Sequence, residues 1–450
     1  MHILRRYIDP RDQFRDYLRD PVRLFIILAG IYVLCYGTRK GVYSPLEFEF
    51  FDHLIGDAFT ITDALLLGIF ALEFVRRIVI DDLAIDRSNF SRPMIALAIV
   101  IGLVPLLRMF AVEQGIRVPL ELMYIPTAIG CFFIWKFLLR REELPIMVWM
   151  LIGAGLYKSV EGLLVFLTTR QIVWGLLTGW RDAMLTTLML LGGFFAYIIK
   201  PGEDRIYRTI RFVLLAQLPL TTWIVMSSMR RSYMLAAVLS LPILFFAFTR
   251  QERRAAVGIF FVVVVVATIS VLMADASAFS DRFNGIVEPS SDGSAAYRVI
   301  ENYNVGLMVL EKPIFGWPMA ARTENRTLID VESISFLMPH NVYLYVLFRA
   351  GIFGLLAYLW LMGTMVATCY RAIRTARQPL ERFLSFWLTA VTVLTILTGF
   401  TTPVYSDRLQ EFLPFLIVMM GYLPGAWPKR SLKLSNTVNG LDFPASAPTS

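Results

Sequence analysis

Residues 250–273 read RQERRAAVGIFFVVVVVATISVLM: three arginines and a glutamate, then nineteen residues without a charge. As an α-helix that uncharged run rises about 28 Å, close to the roughly 30 Å hydrocarbon thickness of a bilayer. A soluble amphipathic helix keeps a charged face for water, and this run has none. Its surroundings must be apolar on every side.

The same unit recurs outward in both directions. Apolar runs fall near 22–37, 58–75, 94–112, 119–139, 145–167, 183–199, 212–226, 233–248, 255–273, 341–367, 383–401 and 411–425, each bounded by short charged connectors. Over the whole chain 57% of residues are hydrophobic and only 17% charged, below the roughly 25% of soluble domains. The fold class expected is all-α, a polytopic membrane helix bundle of about twelve transmembrane helices.

Charge sets the orientation. Arg76-Arg77, Arg140-Arg141, Arg250 with Arg253-Arg254, and Arg371, Arg374 and Arg377 lie on alternate connectors, which the positive-inside rule puts in the cytoplasm with both termini. The N-terminal segment 1–21 is too long and too acidic to begin a cleaved signal peptide. Helices one to nine then occupy 22–273, a long exterior loop 274–340, helices ten to twelve 341–425, and a Ser-, Pro- and Ala-rich tail 426–450 reads as disordered. The net charge of +8 comes from these dispersed clusters, not from one basic face, so nucleic acid is not an expected partner. Cys35, Cys131 and Cys369 all fall in or beside apolar runs, with no disulfide or metal-ligand spacing.

Loop 274–340 is far longer than the other connectors, and loops of that length usually carry function. Residues 297–312 have helical spacing, with Val299, Tyr303, Gly306, Leu307 and Leu310 on one face, and suit the membrane surface. Pro313 and Gly316-Trp317-Pro318 stop that helix. Four groups on the exterior side can bear chemistry, one of them being residues 311–317, which end that helix. Arg230 and Arg231, in the turn 227–232, can grip an anion or simply snorkel to water. Arg298 and Glu301 are spaced for a helix-surface ion pair, which by itself needs no further role. His340 precedes Asn341, a natural N-cap, and can either move a proton or face headgroups. Within the membrane, Lys158 and Glu161 form either a structural bridge or part of a proton or ion path.

Taken in order, Tyr297-Arg298 with Glu301, then Glu311-Lys312-Pro313-Ile314-Phe315-Gly316, then His340-Asn341-Val342-Tyr343-Leu344 and Gly351-Ile352-Phe353-Gly354, the chain resembles the bacterial O-antigen ligase and polysaccharide polymerase family. The motif similarity covers roughly 226–356, and Trp317-Pro318-Met319 departs from that family's usual Gly-x-Gly. The resemblance implies a glycosyltransferase of the bacterial inner membrane, working on the periplasmic face without cofactor, metal or nucleotide sugar. Its donor is then an undecaprenyl-diphosphate-linked glycan, its acceptor a glycan or lipid A core, and its partners the bilayer and polysaccharide synthesis and export proteins. On that basis His340 and Arg298 are the expected catalytic residues, Arg230 and Arg231 hold the diphosphate, and Asn341, Glu301 and Tyr343 support the site. The shared motifs do not separate polymerase from ligase or from a protein O-oligosaccharyltransferase. A transporter or flippase of lipid-linked sugar is the competing class, and a scaffold for a synthesis complex a third.

Overall fold

The computed structural model describes residues 20–35, 61–79, 88–103, 124–169, 180–228, 231–273, 293–317, 339–401 and 409–423. These are helical, with no strand among them: α1 Pro21–Cys35, α2 Ile61–Val79, α3 Ser91–Leu97 continuing as a π-turn Ala98–Leu103, α4 Tyr124–Leu138, α5 Leu144–Thr169, α6 Trp180–Ile198, α7 Arg205–Ser228, α8 Arg231–Phe245, α9 Arg250–Met273, α10 Gly293–Glu311, α11 Val342–Thr375, α12 Pro379–Thr398 and α13 Leu409–Gly421. The N-terminal segment, the acidic first loop with His53, the C-terminal tail and most of loop 274–340 lie outside the described residues. Four stretches among the described residues are long and apolar enough to cross a membrane: Arg141–Leu164, Arg205–Met226, Val342–Thr375 and Pro379–Thr398.

One continuous apolar core joins α1 to α9 and α11 to α13, with Trp135 and Trp387 among its largest buried side chains. Trp387 satisfies its indole N–H on the Leu188 carbonyl at 2.7 Å, the partner a buried ring donor needs. Large apolar residues such as Phe212, Phe246 and Phe261 are at least two-thirds exposed. A bilayer is the surrounding in which that exposure carries no penalty.

The helix ends are sorted by ion pairs. Glu73 is fully buried at the end of α2 and accepts from Arg76 (2.9 Å) and Arg77 (2.8 Å), while Arg23 of α1 reaches Glu143 at 2.9 Å. Buried charges persist only when paired in this way. The cluster gathers the start of α1, the end of α2 and the α4–α5 connector at one end of the bundle, a grouping alternate connectors require. Lys158 and Glu161 pair at 2.7 Å within α5.

Helix α11 departs from the single span expected over 341–367. At 34 residues it would run about 51 Å if straight, against about 30 Å for the 20-residue α12. Yet the two helices are tied at both ends: the Val342 N–H donates to the Gly399 carbonyl at 2.9 Å, and residues 376–378 join the other ends. The surplus is absorbed at Gly351, whose φ of 62° and ψ of −159° break the helix. That backbone region is essentially closed to any residue with a Cβ.

Candidate active site

The first segment of α11 starts at a cap written in the sequence. Asn341 accepts from the backbone N–H groups of Tyr343 (3.0 Å) and Leu344 (3.2 Å), a contact worth about 1 kcal/mol. The cap leaves His340 just outside the helix.

Helix α10 docks on this segment through a small apolar cluster of its own, Val305, Met308 and Val309 against Phe348, with Trp317 and Leu344 at its edge. The face that docks is not the apolar stripe. Val299, Tyr303 and Leu310, grouped as the apolar face, are 68%, 59% and 76% exposed, whereas Glu301 and Asn304 are buried with Val305 and Met308. Periodicity identifies two faces; it does not say which one meets the protein when the outer surroundings are themselves apolar.

Docking carries Glu301 to His340. The His340 backbone N–H donates to Glu301 Oε2 at 3.1 Å, and imidazole Nδ1 lies 3.1 Å from Oε2 and 3.2 Å from Oε1. An ionised carboxylate only accepts, so hydrogen-bond logic assigns the proton to Nδ1 and leaves the lone pair on Nε2. The Glu301 side chain is 1% exposed and that of His340 is 30% exposed. A sealed carboxylate thus backs an imidazole with an open edge, an arrangement able to take a proton from a hydroxyl. The Tyr297 ring stands edge-on to His340 with centroids 6.3 Å apart. Burial, and secondarily the Glu301 charge, push the Tyr297 phenol upward, so it stays a neutral hydroxyl at physiological pH.

The other expected site residues fall into two groups. Arg298 is half-buried on α10 and has no partner among the described residues; the surface pair with Glu301 does not form because Glu301 turns to His340. Arg231 is the first residue of α8, but its side chain, like all of Arg230, lies outside the description. Tyr343 and Asn341 are committed to the scaffold. The Tyr343 hydroxyl donates to the Ile396 carbonyl at 2.9 Å and its ring packs on Phe400.

A lock between the Pro313–Gly316 turn and the break in α11 was not foreseen. Gly316 has φ of 68°, and a Cβ there would stand 2.6 Å from the Arg349 carbonyl carbon; a Cβ on Gly351 would stand 2.1 Å from the Ile314 carbonyl oxygen. The backbones exchange bonds at this approach: Trp317 N–H to Phe348 O (2.6 Å) and Ile352 N–H to Pro313 O (2.9 Å). Trp317, the departure from the family pattern, adds an indole bond to the Met308 carbonyl at 2.7 Å and lies under the Lys312 ammonium. The signal available was the paired Ile-Phe-Gly strings at 314–316 and 352–354, with Gly316 ending the first and Gly351 preceding the second where the chains cross. Among the described residues no group of three or more His, Cys, Asp or Glu is placed to hold a metal.

Residues 212–359 match the family model described as O-antigen ligase. No curated protein matches the chain. The matched segment runs from within α7 into α11 and contains Arg230, Arg231, Arg298, Glu301, His340, Asn341 and Tyr343.

Proposed function

We propose that this chain, whose residues 212–359 match the O-antigen ligase family model, transfers a glycan from a polyprenyl diphosphate to an acceptor hydroxyl. The reaction takes place on the outer face of the bacterial inner membrane, and the enzyme is a polysaccharide polymerase or an O-antigen ligase. The observation that carries this reading is the contact of buried Glu301 with His340 Nδ1 inside the matched segment.

The acceptor oxygen attacks the anomeric carbon while its proton passes to Nε2 of His340. The bond from that carbon to the diphosphate oxygen breaks, and its electron pair leaves with the diphosphate. Glu301 balances the imidazolium as it forms, and Arg298, Arg230 and Arg231 receive the charge on the leaving group. Guanidinium groups suit that task because they stay charged and match phosphate oxygens in pairs. Hydrolysis of the donor competes with transfer, so the reaction needs water kept from the sugar end.

The test is transfer by purified His340→Ala with a lipid-linked donor and a glycan acceptor. Transfer should drop by about 100-fold or more with donor binding retained, since general-base catalysis typically contributes 10²–10⁴-fold. Wild-type turnover in a folded His340→Ala protein removes the proposed base.

A further inference from the structure

Three connectors at the end of the bundle opposite His340 come together: 199–204 between α6 and α7, 246–249 between α8 and α9, and 376–378 between α11 and α12. Arg382 at the start of α12 clasps Glu252 at the start of α9 through Nε and a terminal nitrogen, both at 2.7 Å, and Gly202 lies against Pro379. Much of the local polar capacity is used internally. Asp204 caps α7 at the Tyr207 N–H, Glu252 and Thr249 cap α9, Glu381 caps α12, and Arg208 and Arg253 bond the carbonyls of Gly202 and of Phe246 and Phe248.

Lys200, Arg205, Arg250, Arg254 and Arg377 remain, all exposed and with no partner among the described residues, against one uncommitted carboxylate, Glu203. Topology alone accounts for basic residues at this end. The structure adds that the elements carrying them meet, through Gly202 against Pro379 and the Arg382–Glu252 clasp. It also places exposed apolar side chains beside them: Phe212 73%, Phe246 80%, Val257 61% and Tyr370 55% exposed. A soluble acidic partner calls for the cations alone, whereas a phospholipid calls for cations at phosphate level and apolar surface below them.

We infer that the face built by these three connectors binds an anionic phospholipid, its phosphate among Lys200, Arg205, Arg250, Arg254 and Arg377 and its acyl chains along the exposed apolar residues. A headgroup with two phosphates matches five cations from three connectors best. The inference needs the helices to cross a membrane but not the transfer chemistry, so wild-type turnover in His340→Ala leaves it untouched.

The full-length protein is reconstituted in neutral phosphatidylcholine nanodiscs containing a minor fraction of cardiolipin or phosphatidylglycerol, and retained lipid is read by native mass spectrometry after release. Wild type should retain cardiolipin above phosphatidylglycerol, and both above phosphatidylcholine. Replacing all five cations with Gln should lower cardiolipin retention by about tenfold or more, as expected for cations each attracted to an anionic surface. Arg250→Gln with Arg254→Gln, which leaves the Glu252–Arg382 clasp intact, should show a smaller loss in the same direction and decides the question if the fivefold variant does not fold. Retention unchanged in either folded variant overturns the inference. Displacement of the lipid by millimolar inorganic phosphate also overturns it, because the site would then take the free anion.

Discussion

His340 and Glu301 are separated by 39 residues and meet because α10 lies along the start of α11. If Glu301 acts by fixing the His340 tautomer and balancing imidazolium, Glu301→Gln should lower kcat by more than about tenfold, toward the roughly 10⁴-fold known when such a carboxylate is neutralised. The donor KM should change little, and Glu301→Asp should recover part of the loss. A Glu301→Gln enzyme with normal kcat and a raised KM would reassign the residue to binding. Arg298→Lys should be harmful although it keeps the charge, because an ammonium cannot make the paired grip of a guanidinium. Arg326→Ala, in the same loop but outside the motifs, is the near-neutral comparison in the same transfer assay.

At the scale of elements, the turn after α10 and the break in α11 form one unit through Gly316 and Gly351. Gly351→Ala puts a Cβ against the Ile314 carbonyl in a backbone conformation only glycine adopts readily. It should destabilise the protein by at least about 1–3 kcal/mol, the usual cost of such strain, and reduce transfer by displacing α10. Gly306→Ala, on α10 with open space around it, should be neutral or stabilising by up to about 1 kcal/mol. Thermal midpoints of the two variants check both; equal midpoints would remove the lock. The clasp between α9 and α12 adds a pH dependence. Burial pushes the Glu252 carboxyl up, but hydrogen bonds and charge from Arg382, with the Thr249 backbone, outweigh it and hold the group below the usual carboxylate range. A depressed folded pKa contributes stability that is complete above the unfolded value and lost as pH falls through the folded one. Wild type should therefore lose more thermal stability than Glu252→Gln on acidification from about pH 5 to about pH 3.

For the whole molecule, the proposed reaction requires the His340 end to face the exterior. Reporter fusions after residues 80, 141, 250 and 375 should report cytoplasm, and fusions near 229 and within 280–335 the exterior. A cytoplasmic signal from 280–335 would remove the transfer mechanism. The ion clusters already group Arg23, Arg76 and Glu143 at helix ends that meet, and Glu252 with Arg382 likewise. Replacing Lys158 and Glu161 together by apolar residues should leave transfer largely intact when donor is supplied on the exterior face, as expected of a structural bridge. Loss of translocation with normal folding would favour the flippase.

The amino-acid sequence by itself determined the helical class, the cap at Asn341 and the ordered motifs, because these depend on local chemistry: run length against bilayer thickness, a side chain against its own backbone, residues in chain order. It also brought His340, Glu301 and Arg298 forward as a set without showing which of them touch. Tertiary structure decided that Glu301 turns to His340 instead of Arg298, that the apolar stripe of α10 faces outward, and that α11 breaks at Gly351 to receive the Pro313–Gly316 turn. Each of these depends on which surfaces approach one another. When both the protein interior and the surrounding lipid are apolar, hydrophobicity alone cannot choose between them, and the choice falls to paired charges and close backbone contacts between residues far apart in the chain.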